Sequence, residues 1–262
     1  MENPKRKYIE AAYELMRDSG VENVTIRKVA ARLGCSAPAI YKHFGDLDEL
    51  LDVASIRFLR DYAEDARLLS QVDLNPLELN LQLWECLAFY SFNNAPVAER
   101  LFFSEQRTPE YGEHLVSTYY ECFPEELEHL KGFMRDMLAT TDIRERNGIL
   151  LGRAVDAGML AREAAEILRD NDVLLFRGIL AVLHSTYREM SRPREATKLF
   201  MKLVVASYRA HLNPGFTILV VTPERPILNI DALMSDAKAY RAVACAVPRH
   251  ETTLTPDDKE AA

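Results

Sequence analysis

The helical spacing of apolar and polar positions over the first 45 residues predicts three short helices. The first is predicted from Pro4 to Ser19, with Gly20 ending it. The second is predicted from about Thr25 to Leu33, because Thr25 can cap a segment with apolar residues at i, i+3, i+4 and i+7. Those apolar residues are Ile26, Val29, Ala30 and Leu33.

A sharp break separates the second helix from the third. Gly34 tolerates a positive φ, Ser36 can cap the next helix, and Pro38 lies in the first turn, where its missing N–H is not needed. A connection of three or four residues containing a glycine is typical of a helix-turn-helix. The segment from Ser36 to Phe44 is then the reading helix, with Ile40 and Phe44 packed inward.

The outward residues of these two helices suit contact with DNA. Arginine can bond guanine bidentately, so Arg27 is the best candidate for base readout, while Pro38 and Ala39 can touch thymine methyl groups. The predicted DNA-binding residues are Thr25, Arg27, Lys28, Ser36, Ala37, Pro38, Ala39, Tyr41, Lys42 and His43. Each could singly be only a cap or a core residue; their order and spacing together favour DNA binding.

The spacing TxRKxAxxLGxxxPxxYxHF, followed by DELL, resembles the DNA-binding domain of the TetR family of bacterial transcriptional regulators. This resemblance covers roughly the first fifth of the chain. It implies an all-helical homodimer that binds operator DNA through three N-terminal helices and a small inducer through a larger helical domain. It also implies phosphate contacts from Thr25, Tyr41, Lys42 and His43, and groove contacts from Arg27, Ala37, Pro38 and Ala39.

One position departs from that family pattern. Many members carry a phosphate-contacting lysine three residues after the last phenylalanine of the motif, whereas this chain has Leu47. We therefore expect this end of the linking helix to offer only backbone N–H groups to DNA. Asp46 and Glu49 form a D-x-x-E capping box, and the linking helix is predicted to continue to about Leu69.

Helical spacing continues downstream. The first residues of segment 76–92 alternate between apolar and polar, which would also allow a strand. A helix is favoured by the helical spacing of Leu77, Leu81, Trp84 and Ala88. Further helices are predicted to start at Pro96, at Pro109 behind the cap Thr108, at Pro124, and at Asp142. The predicted fold is therefore all-α, an N-terminal three-helix helix-turn-helix domain plus a C-terminal helical-bundle domain for ligand binding and dimerisation.

The predicted domain limits are residues 1–50 for DNA binding, with a linking helix at about 46–69, and residues 51–212 for the helical bundle. Residues 213–262 form a C-terminal extension, partly irregular, in which FTILVV could be a strand and Asp231 to Arg241 a short helix. Two segments, Val173 to Tyr187 and Leu199 to Tyr208, are apolar over most of their circumference. A second subunit covering them is favoured over burial inside one monomeric core.

Aromatic residues are concentrated between Trp84 and Phe123. Apolar side chains with a few polar tips usually line a small-molecule site, although most of these aromatics will be ordinary core. The predicted ligand-binding residues are Trp84, Phe103 and Tyr119.

Charge divides the chain unevenly. Residues 1–45 hold eight Lys and Arg against five Asp and Glu, net +3, whereas the whole chain carries −8, which leaves −11 for the remainder. The positive end is thus the predicted DNA-binding end. Lys5, Arg6 and Lys7 could touch DNA there or simply be solvated.

Several other classes of protein find no support. No stretch of about 18 apolar residues and no signal-peptide core exists, so a cytoplasmic protein is expected. The four cysteines and six histidines lack metal-ligand spacing, so no metal or cofactor is expected. Ser36 and His43 lie seven residues apart along a helix, about 10.5 Å of rise, too far for a catalytic pair.

These observations predict a ligand-responsive DNA-binding regulator, a repressor released from a palindromic operator by a small-molecule inducer. Its expected partners are double-stranded operator DNA, a second copy of the chain and an effector. The alternative is a TetR-like scaffold or co-activator that acts through a protein partner. A helical enzyme fused to a helix-turn-helix has no nucleophile, metal or phosphate-loop pattern to support it.

Overall fold

The structure is a computed structural model and describes residues 3–70, 74–104, 108–128, 130–184 and 193–218. Over these residues the fold is all-α, as predicted. The helices are α1 (Arg6–Ser19), α2 (Ile26–Leu33), α3 (Ala37–Tyr41), α4 (Leu47–Ile56), α5 (Arg60–Leu69), α6 (Pro76–Asn93), α7 (Ala95–Phe103), α8 (Pro109–Cys122), α9 (Glu125–Glu128), α10 (Phe133–Leu138), α11 (Ile143–Asp156), α12 (Arg162–His184) and α13 (Pro193–His211).

The N-terminal unit is built on α1, which packs against both α2 and α4. Its inner face carries the fully buried Ile9 and Ala12. The helix begins at Arg6, two residues after the predicted start, because Asn3 Oδ1 accepts a hydrogen bond from Lys5 N–H and holds residues 4 and 5 in a turn. The predicted helices of this unit are therefore confirmed, with a small shift at the first boundary.

The prediction of one continuous linking helix to Leu69 is wrong. A 3-10 turn at Arg57–Leu59 separates α4 from α5. The two helices bury different faces: α4 packs on α1, α7 and α8, whereas α5 packs mainly on α6. A tighter turn between them changes the rotation of the chain, so that each helix can bury its own apolar face.

The C-terminal bundle surrounds α6, which packs against α13, α11 and α5. Asn75 caps α6 in a complete capping box, and Pro76 occupies its first turn. Phe176 of α12 lies at the centre of a ring cluster, with centroids 5.3 Å from Phe92, 5.6 Å from Trp84 and 5.9 Å from Phe200. This cluster joins α6, α12 and α13 into one core.

Several start and stop signals of the bundle helices are confirmed. Thr108 Oγ1 accepts a hydrogen bond from Tyr111 N–H, and Pro96 and Pro109 lie in the first turns of α7 and α8. Gly158 follows α11 with φ +72°, a conformation that favours glycine.

The last two helices each bury one face against the rest of the chain. In α12, Leu168, Asp172 and Phe176 are fully buried, while Ile167 and Leu174 on the opposite face are 50% and 69% exposed. In α13, Leu199 and Leu203 are likewise exposed beside a buried face. Each helix therefore covers one face within the chain and leaves an apolar stripe open.

The predicted features of the C-terminal extension lie mostly outside the described residues, including the second half of FTILVV and the segment Asp231 to Arg241. Within the described ranges, strand-type pairing is limited to an isolated bridge between Leu160 and Leu212. Ile218, near the end of the described chain, is buried.

Candidate nucleic-acid interface

The turn between α2 and α3 has the geometry that the sequence predicts. Thr25 Oγ1 caps α2 by accepting from Lys28 N–H at 3.3 Å. Gly34 ends α2 with φ +63° and ψ +30°, in the left-handed region. Ile40 and Phe44 are buried on the N-terminal core, with exposures of 0% and 2%. These two anchors fix the orientation of α3 on the rest of the unit.

The opposite side of this turn is open to solvent. Thr25, Arg27, Lys28, Ser36, Pro38, Tyr41 and Lys42 are exposed, and Ala37, Ala39 and His43 are half-buried. All ten predicted DNA-binding residues therefore lie in one short stretch of α2, the turn and α3, and none is buried. The surface has small residues at the start of α3 and basic groups on either side of them, an arrangement that allows close approach to duplex DNA.

Three details of this surface differ from the prediction. Ser36 occupies the cap position of α3, but its side chain forms no capping hydrogen bond. The reading helix ends at Tyr41 and continues as a turn, because His43 and Phe44 N–H both close on Ile40 O. The His43 ring packs against Tyr8, with centroids 5.4 Å apart, so it is less free to reach a phosphate than Lys42.

The basic residues at the start of α1 do not form a free arm. Arg6 pairs with Glu125 at 2.9 Å and with Glu10 at 3.3 Å. The Lys5 ammonium lies over the Phe44 ring, and the Lys7 ammonium lies over the Tyr8 ring. The Arg6 guanidinium is thus held by two carboxylates of the same chain, although its side chain stays 25% exposed.

The start of α4 is acidic where a basic residue would help DNA binding. Asp46 Oδ1 accepts from Glu49 N–H, as the capping box predicts. The Glu49 side chain accepts from Gly45 N–H, one residue earlier than a standard box requires. Leu47 is half-buried and contributes no charge.

The three predicted ligand-binding residues do not share one cavity. Trp84 and Phe103 both contact Phe176, but the Trp84 indole N–H donates to Asn147 Oδ1, whereas Phe103 lies under the Arg177 guanidinium. Tyr119 lies elsewhere, stacked on Phe123 with its hydroxyl donating to Glu126 Oε2. Burial raises the pKa of the Glu126 carboxyl.

Sequence reasoning missed a buried polar cluster around Trp84. Its members are distant in the chain and have no motif: Asn80, Arg146, Asn147, Asp172 and Tyr208 are all nearly inaccessible. The only sequence signal for these residues is that each is polar at a position where the helical pattern otherwise has apolar residues.

A sequence model for bacterial regulatory proteins of the tetR family matches residues 9–54, the unit just described. Over these residues the chain is similar to the TetR family. The tetracycline repressor protein class A from transposon 1721 of Escherichia coli is 42% identical over 53 residues, 20% of this chain and 24% of that protein. The class C protein of Escherichia coli is 48% identical over 44 residues, 17% of this chain and 20% of its own length. The match thus spans a quarter or less of these relatives.

Solved structures extend the likeness to the C-terminal bundle. A TetR transcription regulator from Haloarcula marismortui aligns over 80% of this chain and 98% of its own, with a TM-score of 0.50 and 16% identity. The Thermus thermophilus repressor FadR, solved with lauroyl-CoA, aligns over 84% and 98%, with a TM-score of 0.51 and 14% identity. At these identities the comparison concerns the fold alone, and that likeness extends over both the N-terminal unit and the helical bundle.

Two sets of contacts hold the N-terminal unit, which contains the reading helix, against the C-terminal bundle. On one side, Asp52 of α4 pairs with Arg100 Nε at 3.0 Å and accepts from the Tyr111 hydroxyl at 2.9 Å. On the other, the Arg6 and Arg57 guanidinium groups lie 4.6 and 4.3 Å from the centroid of the Phe123 ring. The reading unit therefore cannot reorient freely against α7 and α8.

Within the described ranges, none of the helices has both the length and the apolar character needed to cross a membrane.

Proposed function

We propose that this chain is a dimeric, ligand-responsive transcriptional regulator that represses by binding a palindromic operator, acts in the cytoplasm and is released by a small-molecule inducer. The observation that carries the proposal is the open surface of α2, its turn and α3. There Arg27, Lys28 and Lys42 are exposed around small residues, while Ile40 and Phe44 hold the reading helix from behind. Likeness to the tetracycline repressors over this segment supports repression.

Dimerisation is supported by the open apolar stripes of α12 and α13. Ile167 and Leu174 are seven residues apart on α12, and Gly178 and Ala181 continue their exposed face. Leu199 and Leu203 form the corresponding stripe of α13. Exposed apolar stripes on two packed neighbouring helices are suited to isologous contact with a second copy. A C2 dimer would place its reading helices in successive major grooves about 34 Å apart.

Response to a ligand is supported by the contacts that hold α4 against the bundle. Its first two turns contact α7 and α8, so a change in the bundle that moves those helices would move the reading unit with them. Ligand binding would then favour a dimer state in which the two reading helices no longer match the groove spacing. The Thermus thermophilus repressor FadR, whose fold this chain resembles, was solved in complex with lauroyl-CoA, and this supports a response to a ligand.

The test is a gel-shift titration of the full chain with DNA from the region upstream of its own gene, and with operators selected from a random pool. The double variant Lys42→Ala with Arg27→Ala should lose binding, while the matched pair Lys131→Ala with Arg135→Ala, exposed on the bundle, should keep it. Failure of the wild-type chain to select any DNA, with capture of a specific protein instead, would favour the scaffold or co-activator alternative.

A further inference from the structure

A hydrogen-bonded polar cluster lies inside the C-terminal bundle. Asn147 Oδ1 accepts from Asn80 Nδ2 at 3.1 Å and from the Trp84 indole at 3.0 Å. Asn147 Nδ2 donates to Asp172 Oδ2 at 3.0 Å, and the Tyr208 hydroxyl donates to the same oxygen at 2.7 Å. The cluster thus joins α6, α11, α12 and α13 through side chains that are almost fully buried.

Some atoms around this cluster lack partners among the described residues. Asn80 Oδ1 and Asp172 Oδ1 are buried without a hydrogen bond. Leaving such an acceptor unsatisfied costs about 1–3 kcal/mol, so proteins seldom retain one without a use.

Arg146 is the most unusual member of the region. Its side chain is 4% exposed; Nε donates to Thr140 O at 2.7 Å, but Nη1 has no partner in the part of the chain that the structure describes. The guanidinium lies over the Phe102 ring, 5.6 Å from its centroid. Burial lowers the pKa of Arg146, yet an arginine stays protonated in a protein. A buried cation without a hydrogen-bonded carboxylate is expensive, because burial removes water and only the more distant charges of Asp142 and Glu145 compensate it.

Arg146 shares a narrow cavity with the polar cluster. Tyr62, Asn80, Trp84, Met137 and Asn147 line the same space, together with leucine and isoleucine side chains. Among the lining residues of the described chain, Arg146 carries the only charge. The cavity therefore offers one cation and neutral amide groups at one place, and apolar walls elsewhere. The cavity itself has room for little more than one water molecule, so a bound molecule must displace the Met137 side chain, which has three rotatable bonds.

We propose that this cavity binds a small organic monocarboxylate, whose carboxylate pairs with Arg146 and whose apolar remainder lies against Trp84 and Met137. This assignment rests on the proposed function, since it names the class of effector that the bundle would sense. A carboxylate supplies the acceptor that Arg146 Nη1 lacks and can accept two bonds from a guanidinium fork. A cationic effector would instead add a second buried positive charge beside Arg146.

The chain contains a built-in reporter for this site. Trp84 is the only tryptophan of the sequence and lines the cavity, so fluorescence of the full chain excited above the tyrosine absorption band reports on Trp84. The probes are acetate, benzoate and octanoate, each compared with its neutral amide: acetamide, benzamide and octanamide. We expect at least one acid to change the Trp84 emission saturably, and to bind at least about tenfold more tightly than its amide. That ratio equals about 1.4 kcal/mol.

Variants separate the charge of Arg146 from its packing. Arg146→Gln should lose the preference for acid over amide, whereas Arg153→Gln, on the same helix with its guanidinium over Phe133, should retain it. Circular dichroism checks that both variants fold; if Arg146→Gln does not, the comparison of acid with amide on the wild-type chain still decides the question.

The proposal is overturned if no acid changes the emission, if acids and amides bind equally, or if folded Arg146→Gln keeps the preference. Gel shifts of the unliganded chain, run in parallel, separate this outcome from failure of the proposed function. If the chain binds the operator but does not respond to an acid, only the proposal of a monocarboxylate effector is overturned. If it responds to an acid but does not bind the operator, the proposal that it is a transcriptional regulator is overturned.

Discussion

His114 Nε2 lies 2.9 Å from Glu49 Oε1 and joins α8 to the first turn of α4. Glu49 also accepts from Gly45 N–H, so the same carboxylate caps α4 and contacts the bundle. One turn later, Asp52 is bound by Arg100 and Tyr111. These polar contacts between α4 and the bundle lie at the end of α4 nearest to the reading helix, and the Arg6–Glu125 pair adds another contact between the two units at α1.

Arg100→Ala should destabilise the chain by about 2 kcal/mol. Asp52 is 2% exposed and would lose its guanidinium partner while staying buried. Breaking a buried pair from one side typically costs more, but Arg100 is partly exposed and Tyr111 remains as a donor. Urea denaturation measures the difference. A loss no greater than that of Arg135→Ala would show that this contact does not stabilise the domain junction.

Lys42→Ala and Arg27→Ala should weaken DNA binding in different ways. Loss of a phosphate contact at Lys42 should weaken binding to all sequences and lower the slope of log affinity against log salt by about one. Loss of a base contact at Arg27 should cost about 1–3 kcal/mol on the operator and also relax base preference. Gel shifts over a salt series, on operator and random DNA, measure both. Equal losses on the two DNAs for both variants would contradict this division of roles.

Stability should depend on pH through Asp172. Burial raises the pKa of Asp172 to about 7, and the residues facing it are Asn147 from α11 and Tyr208 from α13, with Asn80 behind Tyr208. The folded state holds this proton more tightly than an unfolded chain, where the pKa is about 3.9. The resulting stabilisation is complete below about pH 4 and is lost as the pH rises through about 7.

Asp172→Asn removes this dependence and keeps the shape of the side chain. Relative to the variant, the wild-type chain should lose up to about 1.4 kcal/mol of unfolding free energy per pH unit between about pH 5 and pH 7. Urea denaturation at several pH values measures it. Parallel curves for the two proteins would mean that Asp172 does not take up a proton on folding.

Leu174→Glu should weaken dimerisation at least about tenfold, or about 1.4 kcal/mol. Leu174 is 69% exposed on the open stripe of α12, where a glutamate costs nothing in a monomer but introduces a charge into an apolar contact. Sedimentation equilibrium of the variant, with Ala139→Glu on the bundle surface as control, gives the association constants. An unchanged constant for Leu174→Glu would exclude this stripe as the interface.

Local signals predicted the reading unit well. Thr25 and Gly34 act within a few residues of their own position, so the cap, the turn and the anchors Ile40 and Phe44 could all be derived from spacing. The absence of a capping hydrogen bond from the Ser36 side chain could not be derived from spacing, because it depends on the rotamer of that side chain.

The bundle interior could not be predicted in the same way. Asn80 and Tyr208 form a 2.7 Å hydrogen bond across 128 residues, and nothing in either local sequence indicates it. Trp84 lines a cavity, but Phe103 and Tyr119, which only nearness along the chain groups with it, do not line the same one. Which aromatics share a cavity is set by packing between distant helices.

Phe123 is fully buried, yet part of its cover comes from Arg6 and Arg57, which belong to the N-terminal segments. If the N-terminal three-helix unit were exchanged between relatives, the Phe123 ring would therefore be exposed to water unless the exchanged segment included both arginines. Chimeric regulators built from this chain should place their fusion point after Leu59 rather than at the edge of the three-helix unit.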